Sequence, residues 1–330
     1  MRVHRIAALK GDGIGPCLVA AGLEALAACA AQDGGFRLEV EIFDRALAGA
    51  DLERLQGFDA ILAGAAGADG SVEHAASWPA SAALCKHLGL GVTMRPIRML
   101  RGLTSPLRDV AGPELNWMII GANRIGEIGS PDGQARLRQV LRYAFQMARQ
   151  RPRKLLTVVV PPKTVDHGGS SWSESAADIA QGYPDVVWSQ TPVELIIMRM
   201  ALEPHSLDTI VASSGDADLL SSLAAAFAGS PGLAASARLN PEQSTPALFE
   251  PLYGSGLEAC ARCTANPIAA FWAAGLMLNH LGEKDAAARL MHAVEDITAD
   301  PALHTPDLGG NCTVETLTSA VCDAVRRSKS

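Results

Sequence analysis

Charge is scarce in this chain: only 19% of its 330 residues are Asp, Glu, Lys or Arg, against 48% hydrophobic. A sequence so poor in charge and rich in apolar side chains buries enough surface to offset its ordering entropy, which excludes an intrinsically disordered protein. A basic excess is also missing. Lys and Arg number 28 against 35 Asp and Glu, for a net charge of −7, so no electrostatic footprint exists for nucleic acid or an anionic lipid surface. No uninterrupted apolar run has the length of a membrane span, and the opening MRVHRIAALKGDG turns polar too early for a secretory signal. The seven cysteines are odd in number and scattered, which fits reduced thiols rather than a disulfide framework. Cys260 and Cys263 form a CxxC, but without a second pair or a histidine at ligand spacing they read as loop cysteines and not as a zinc site. The expectation is a cytoplasmic protein that handles a small molecule, with no nucleic-acid or membrane partner. Repeats, linkers and low-complexity tracts are absent too. The length nevertheless exceeds what one core usually supports, so two domains are expected with a boundary that the sequence does not announce.

What is present is an alternation of strands and helices, the pattern of an α/β protein built on a mainly parallel sheet. Strands are expected at Arg5–Leu9, Leu38–Phe43, Ala60–Ala63, Trp117–Ile120, Leu155–Val160, Val186–Trp188 and Thr209–Ala212. Helices are expected at Cys17–Gln32, Gln134–Gln150, Val193–Glu203, Leu219–Phe227, Ile268–Leu281, Glu283–Asp300 and Val314–Arg327. After the first strand comes Gly11-Asp12-Gly13-Ile14-Gly15-Pro16, where glycines permit a tight turn and Pro16 sets the first turn of a helix. This is not the GxGxxG dinucleotide fingerprint, because the third glycine is misplaced and no acidic residue ends a following strand. A second glycine turn, Gly64-Ala65-Ala66-Gly67, follows the apolar strand ending at Ala63. It is read equally as a ligand-admitting sheet end or as a plain strand-to-loop turn.

GDGIGP, DAILAGAAG, LGLGVTMRP at 88–96, EPLYGSGLEACARCTANPIA at 250–269 and TPDLGG at 305–310 occur in one order from end to end. Together they resemble the β-hydroxyacid oxidative decarboxylases, the family of isopropylmalate and isocitrate dehydrogenases and the related tartrate and malate enzymes. The resemblance implies an isopropylmalate dehydrogenase-like two-domain α/β fold with a parallel or mixed sheet. Its first domain, about 1–96 with 235–330, comes from both chain ends and binds the cofactor. Its second, 97–234, lines the substrate cleft and forms a homodimer. It also implies that Gly254, Ser255, Gly256, Glu258 and Asn266 hold the adenosine end of NAD, Glu258 favouring NAD because a carboxylate repels the extra phosphate of NADP. Read without the family, Glu258 is a solvated loop carboxylate, and nearby Arg262 weakens the discrimination.

The substrate side departs from the family pattern. Of three arginines that clamp the malate carboxylates, only Arg95 remains, with Cys85 and Gly121 at the other two positions. A charge-assisted hydrogen bond contributes roughly 1.5–3 kcal/mol, so two losses weaken dicarboxylate binding by about two to four orders of magnitude. For the divalent cation, Mg²⁺ or Mn²⁺, the matching positions are Glu194, Asp218 and Ser222, the last in place of an aspartate, with Asp216 two residues from Asp218. Glu194 is read equally as a surface charge favoured by a helix N-terminus. His167 stands where the family has its lysine base, and Ile128 where it has the tyrosine acid. Histidine accepts a proton near neutral pH, whereas isoleucine donates none, and a missing acid costs about 10²–10⁴ in rate. His167 is otherwise a loop histidine, and Lys163 is the alternative base. The arm that clasps the partner subunit is shortened to SPDGQ after Gly129, leaving an apolar stripe at Val193, Ile196, Ile197 and Met200 as a candidate dimer face, although such a stripe is more often simple core.

Two readings follow. In the first, the chain is an NAD-dependent 2-hydroxy acid dehydrogenase with a non-standard substrate, using His167, Asp218 and Arg95. In the second, it is a non-catalytic nucleotide-binding relative with a regulatory or assembly role.

Overall fold

The computed structural model describes residues 1–43, 49–64, 79–107, 115–123, 130–160, 168–242, 244–252 and 265–328. Its centre is a ten-stranded sheet. The strands are β1 (Arg2–Leu9), β2 (Phe36–Phe43), β3 (Ala60–Ala63), β4 (Val92–Arg98), β5 (Asn116–Ala122), β6 (Leu155–Val160), β7 (Val187–Pro192), β8 (Thr209–Ser213), β9 (Ala235–Leu239) and β10 (Ala247–Pro251). The spatial order is β2-β1-β3-β10-β9-β4-β5-β8-β6-β7. Strands β2, β1, β3 and β10 form one parallel block and β5, β8, β6 and β7 another. Between them β9 and β4 pair antiparallel with every neighbour, so the two blocks meet at an antiparallel seam.

Helices cover both faces: α1 (Gly15–Asp33), α2 (Gly49–Leu55), α3 (Pro79–His87), α4 (Pro131–Gln150), α5 (Gly168–Ala180), α6 (Val193–Leu202), α7 (Ser214–Phe227), α8 (Ile268–His280), α9 (Lys284–Thr298) and α10 (Val314–Arg327). On one face α1, α8, α9 and α10 pack over the first block and α4 with α5 over the second, forming the main core. On the other face α6 and α7 cover the second block through Ile97, Trp117, Ile119, Ile210 and Met200, while the first block is covered around Leu55, Leu84 and Leu88 of α2, α3 and its following turn. α8 is apolar around its whole circumference and buried almost throughout, as a helix at the centre of a core must be. α1 is long and apolar enough to cross a bilayer, yet it packs against α8, α9 and α10, which accounts for its hydropathy.

The glycine turn after β1 has a steric reason. Gly11 and Gly13 take φ of 68° and 54°, a region costly for other L-residues. Gly64, at the end of β3, lies so close that an added Cβ would sit 2.3 Å from the Lys10 carbonyl oxygen and 2.7 Å from that of Gly15. Residues 65–67 of the second turn lie outside the described residues.

β4, β9 and β10 are strands where none was expected. β4 contains Pro96, whose missing N–H is tolerable because the ladder to β9 ends at Met94 while pairing to β5 continues. α7 begins five residues before the expected Leu219, because Ser213 caps it: its Oγ accepts from the Asp216 amide at 3.2 Å. α4 likewise starts at Pro131, with Ser130 accepting from the Gly133 amide at 3.1 Å.

Candidate active site

The antiparallel seam carries a buried polar stripe on the face covered by α3 and α7. Directly opposed residues on antiparallel strands share a face, and alternate residues along a strand return to it. Thr93 opposes Arg238, Leu248 opposes Arg238, and Glu250 opposes Ser236. Thr93, Arg95, Ser236, Arg238 and Glu250 therefore lie on one face. Arg95 Nη2 meets Asp218 Oδ1, from α7, at 2.5 Å, and Nη1 donates to Ser221 Oγ at 3.3 Å. The Arg95 side chain is 5% exposed and that of Asp218 25%. Burial lowers the Arg95 pKa from its ordinary value, opposed by the charge and hydrogen bond of Asp218, while Arg238 is near enough to repel and Glu250 to attract.

A second ion pair lies beside the first. Arg238 Nε donates to Glu250 Oε1 at 2.5 Å, and Nη1 reaches Cys85 Sγ at 3.7 Å. The charge of Glu250 holds Arg238 above the usual arginine value, against the cost of burial. Three atoms of the stripe, Thr93 Oγ1, Arg95 Nε and Ser236 Oγ, are buried without a hydrogen-bond partner among the described residues. Buried donors and hydroxyls are rarely left unpaired, and three such atoms fall on this one face.

The residues singled out in the sequence divide into three groups. Arg95 and Asp218 are brought together, but as partners of each other. Ser222 Oγ donates to the Asp218 carbonyl at 3.0 Å, and Asp216 is tied to the capping Ser213, which donates to its Oδ2 at 2.8 Å. Cys85 is buried beside Arg238. At Gly121 an added Cβ would lie 3.1 Å from Ala217 Cβ and 3.5 Å from Thr93 Cβ, so α7 and β4 fill that position. Glu194 sits exposed on the first turn of α6. Asn266 is buried: its Oδ1 accepts from the Ile268 amide at 3.0 Å, and its Nδ2 donates to Asp307 Oδ2 at 3.0 Å. Asp307 also accepts from Ser230 at 2.5 Å and from Thr305 at 2.6 Å, tying the TPDLGG turn to the start of α8. His167, Lys163, Ile128, Gly254, Ser255, Gly256, Glu258, Cys260, Arg262 and Cys263 lie outside the described residues. The stripe Val193, Ile196, Ile197 and Met200 proves to be core: Ile196 and Met200 are fully buried, with Val193 and Ile197 packed against them. The exposed apolar side chains of these helices are instead Leu195, Met198, Leu202 and Leu219.

The donor set does not suit a divalent cation. Among the described residues no cluster of three His, Cys, Asp or Glu side chains could hold one. Asp218 is neutralised by Arg95, and Ser222 offers a hydroxyl already donated to backbone. Asn266 is rigidly placed where the TPDLGG turn meets α8, with its oxygen and one N–H committed to Ile268 and Asp307.

A family model for isocitrate/isopropylmalate dehydrogenase matches residues 130–325. The chain belongs to that family. A probable tartrate dehydrogenase/decarboxylase of Agrobacterium vitis is 41% identical over 356 aligned positions, covering 99% of each chain. The D-malate dehydrogenase (decarboxylating) of Escherichia coli is 32% identical, covering 99% of this chain and 100% of its own. Crystalline isocitrate dehydrogenase from Methylococcus capsulatus superposes with a TM-score of 0.84 at 26% identity, covering 98% of this chain and 100% of that one. Both the α/β fold with a large mixed sheet and the resemblance carried by the five motifs are thereby borne out, and the chain is an oxidoreductase of the hydroxy acid dehydrogenase type. The alignment to the Agrobacterium relative exceeds the 330 residues available, so that relative carries segments this family member lacks.

Arg238 and Glu250 escaped the sequence reading. The visible signal was EPLYGSG, read for its glycines although its first residue is a buried acid with no lysine or arginine nearby in sequence. A buried acid needs a distant cation, and Arg238 supplies it.

Proposed function

We propose that this family member oxidises a 2-hydroxy acid with NAD as acceptor, the acid's carboxylate held by Arg95 on the seam. The observation that carries this reading is the polar stripe itself: a buried guanidinium whose Nε, like the flanking Thr93 and Ser236 hydroxyls, has no partner among the described residues. NAD, when bound, supplies the hydride acceptor. Residues 254–256 with Asn266 would hold its adenosine end and Glu258 would favour it over NADP, within a lobe made of 1–96 and 235–330. The lobe of 97–234 would close over the substrate.

The chain's own groups then have defined tasks. Arg95 exchanges its Asp218 partner for a substrate carboxylate, a swap of one charge-assisted bond for another. His167 takes the hydroxyl proton, with Lys163 the alternative. Ile128 donates nothing, so protonation after any loss of carbon dioxide falls to water. No step is routed through a metal ion, because Asp218 and Ser222 do not provide its ligands. A homodimer is supported by Leu195, Met198 and Leu202, which line one exposed side of α6, and by Leu219 on α7. Glu194 on the same helix would then face the partner.

The test is to mix the protein with NAD or NADP and a panel of 2-hydroxy acids and follow reduced-cofactor absorbance, with a thermal melt of each mixture. Turnover with NAD and any panel member supports the reading. NAD raising the melting temperature with no turnover across the panel would overturn the 2-hydroxy acid as substrate.

A further inference from the structure

We infer that Arg238 is a relocated carboxylate anchor: it replaces the clamp guanidinium lost at Cys85, so that Arg95 and Arg238 together grip both ends of a 2-hydroxy dicarboxylate. The inference rests on the reading above that the seam takes a 2-hydroxy acid, and it adds which acids and through which residue. By the family resemblance Cys85 stands at one of the clamp positions, and the guanidinium of Arg238 reaches its sulfur, Nη1 to Sγ at 3.7 Å. A cation has thus returned to the neighbourhood of residue 85 from a different strand. The second lost position cannot be refilled in the same way, since Ala217 and Thr93 close on Gly121.

The chemistry of Arg238 suits the task. Its Nε is committed to Glu250 and one N–H of Nη1 to Cys85. Its side chain is 11% exposed. A guanidinium offers five donors in a planar fork, so these two bonds leave N–H groups with which Arg238 would meet a carboxylate. Glu250 fixes the fork and offsets part of the repulsion between two neighbouring arginines. The Ser236 and Thr93 hydroxyls lie on the same face, which supplies neutral partners between the two cations. Two guanidiniums on adjacent strands of one face select an acid with two carboxylates over an acid with one.

The experiment uses the full chain with NAD and compares malate with lactate, two 2-hydroxy acids that differ by one carboxylate, by turnover and by titration calorimetry. Wild type is expected to prefer malate, and Arg238→Gln to weaken malate binding roughly 10- to 100-fold with lactate unchanged. The loss should fall on KM, leaving kcat for malate within about threefold, as for an anchor remote from the reacting carbon. Adding Cys85→Arg to Arg238→Gln should restore malate binding, a rescue that a merely structural arginine would not show. If Arg238→Gln fails to fold, Arg238→Gln with Glu250→Gln keeps an internal amide pair and is measured instead. Equal weakening of both acids, no weakening of malate, or a wild type indifferent between them overturns the anchor. The two levels separate cleanly. Turnover without malate preference removes Arg238 and leaves the oxidoreductase reading, whereas Arg238-dependent malate binding without turnover of any acid keeps the anchor and removes that reading.

Discussion

Asp218→Asn is the change that tests the seam most directly, because it should move stability and carboxylate binding in opposite directions. In the folded protein Asp218 Oδ1 lies 2.5 Å from Arg95 Nη2, with the arginine side chain 5% and the aspartate 25% exposed. Removing one partner of a fully buried pair costs about 3–5 kcal/mol, because the other charge is stranded. Water reaches Asp218, and asparagine keeps an acceptor toward Arg95, so screening reduces the expected loss to about 2–3 kcal/mol. For a chain of this size that lowers the melting temperature by about 3–4 °C. The same substitution releases Arg95 from an internal competitor. A substrate carboxylate no longer has to displace Asp218, and calorimetry should show malate binding about tenfold tighter. Scanning calorimetry and titration on one preparation read both effects. An unchanged melting temperature would mean that the pair contributes nothing to the fold. Weaker malate binding would mean that Asp218 serves the ligand rather than competing with it, and the carboxylate-exchange argument would fail.

Gly121→Arg should destabilise the fold: the added Cβ meets Ala217 at 3.1 Å, and overpacking of this kind costs about 1–3 kcal/mol or more, read by chemical denaturation. Pairing it with Ala217→Gly should recover part of the loss; no recovery would show that Ala217 is not the obstacle. Glu283, 3% exposed in its side chain, accepts two bonds from Arg2 and one from His4. Burial pushes its carboxyl up, but those bonds outweigh it and hold the folded value below the ordinary one. Its contribution is therefore complete above the ordinary glutamate value near about 4.3 and is lost as pH falls through the depressed one. The melting-temperature gap between wild type and Glu283→Gln should narrow as the pH falls below the ordinary glutamate value, and a gap that stays constant would deny its ionic origin. Leu195→Asp with Met198→Asp should convert a dimer to a monomer by light scattering while leaving the core side chains Ile196 and Met200 undisturbed; an unchanged mass would place any interface elsewhere.

Strands such as Ala60–Ala63 and Leu155–Val160 were legible in the sequence because they are short apolar runs. The seam and its neighbour β10 were not. VTMRPIR, ASARL and ALFEP contain proline, arginine or glutamate, and local patterning gives such segments to loops. They are strands because their charges cancel across sequence distances that periodicity cannot see, Arg238 with Glu250 and Arg95 with Asp218. The candidate site was half legible. Arg95 and Asp218 were named, but as a substrate ligand and a metal ligand; their mutual pairing depends on how α7 docks against β4. The apolar stripe of α6 was seen at the right helix and on the wrong side, since a helix with leucine or methionine at most positions gives hydropathy alone no way to choose its inward face.

β3 finds its second neighbour only in β10, encoded near residue 247, long after its own synthesis. Until that late stretch leaves the ribosome, Ala60–Ala63 presents an unpaired apolar border, and α8 has yet to be made. Nascent chains halted before residue 247 should consequently depend on holdase chaperones and aggregate when these are withdrawn. Productive collapse of the amino-terminal strands must wait for the carboxyl-terminal third, which makes slow maturation a built-in property of this architecture.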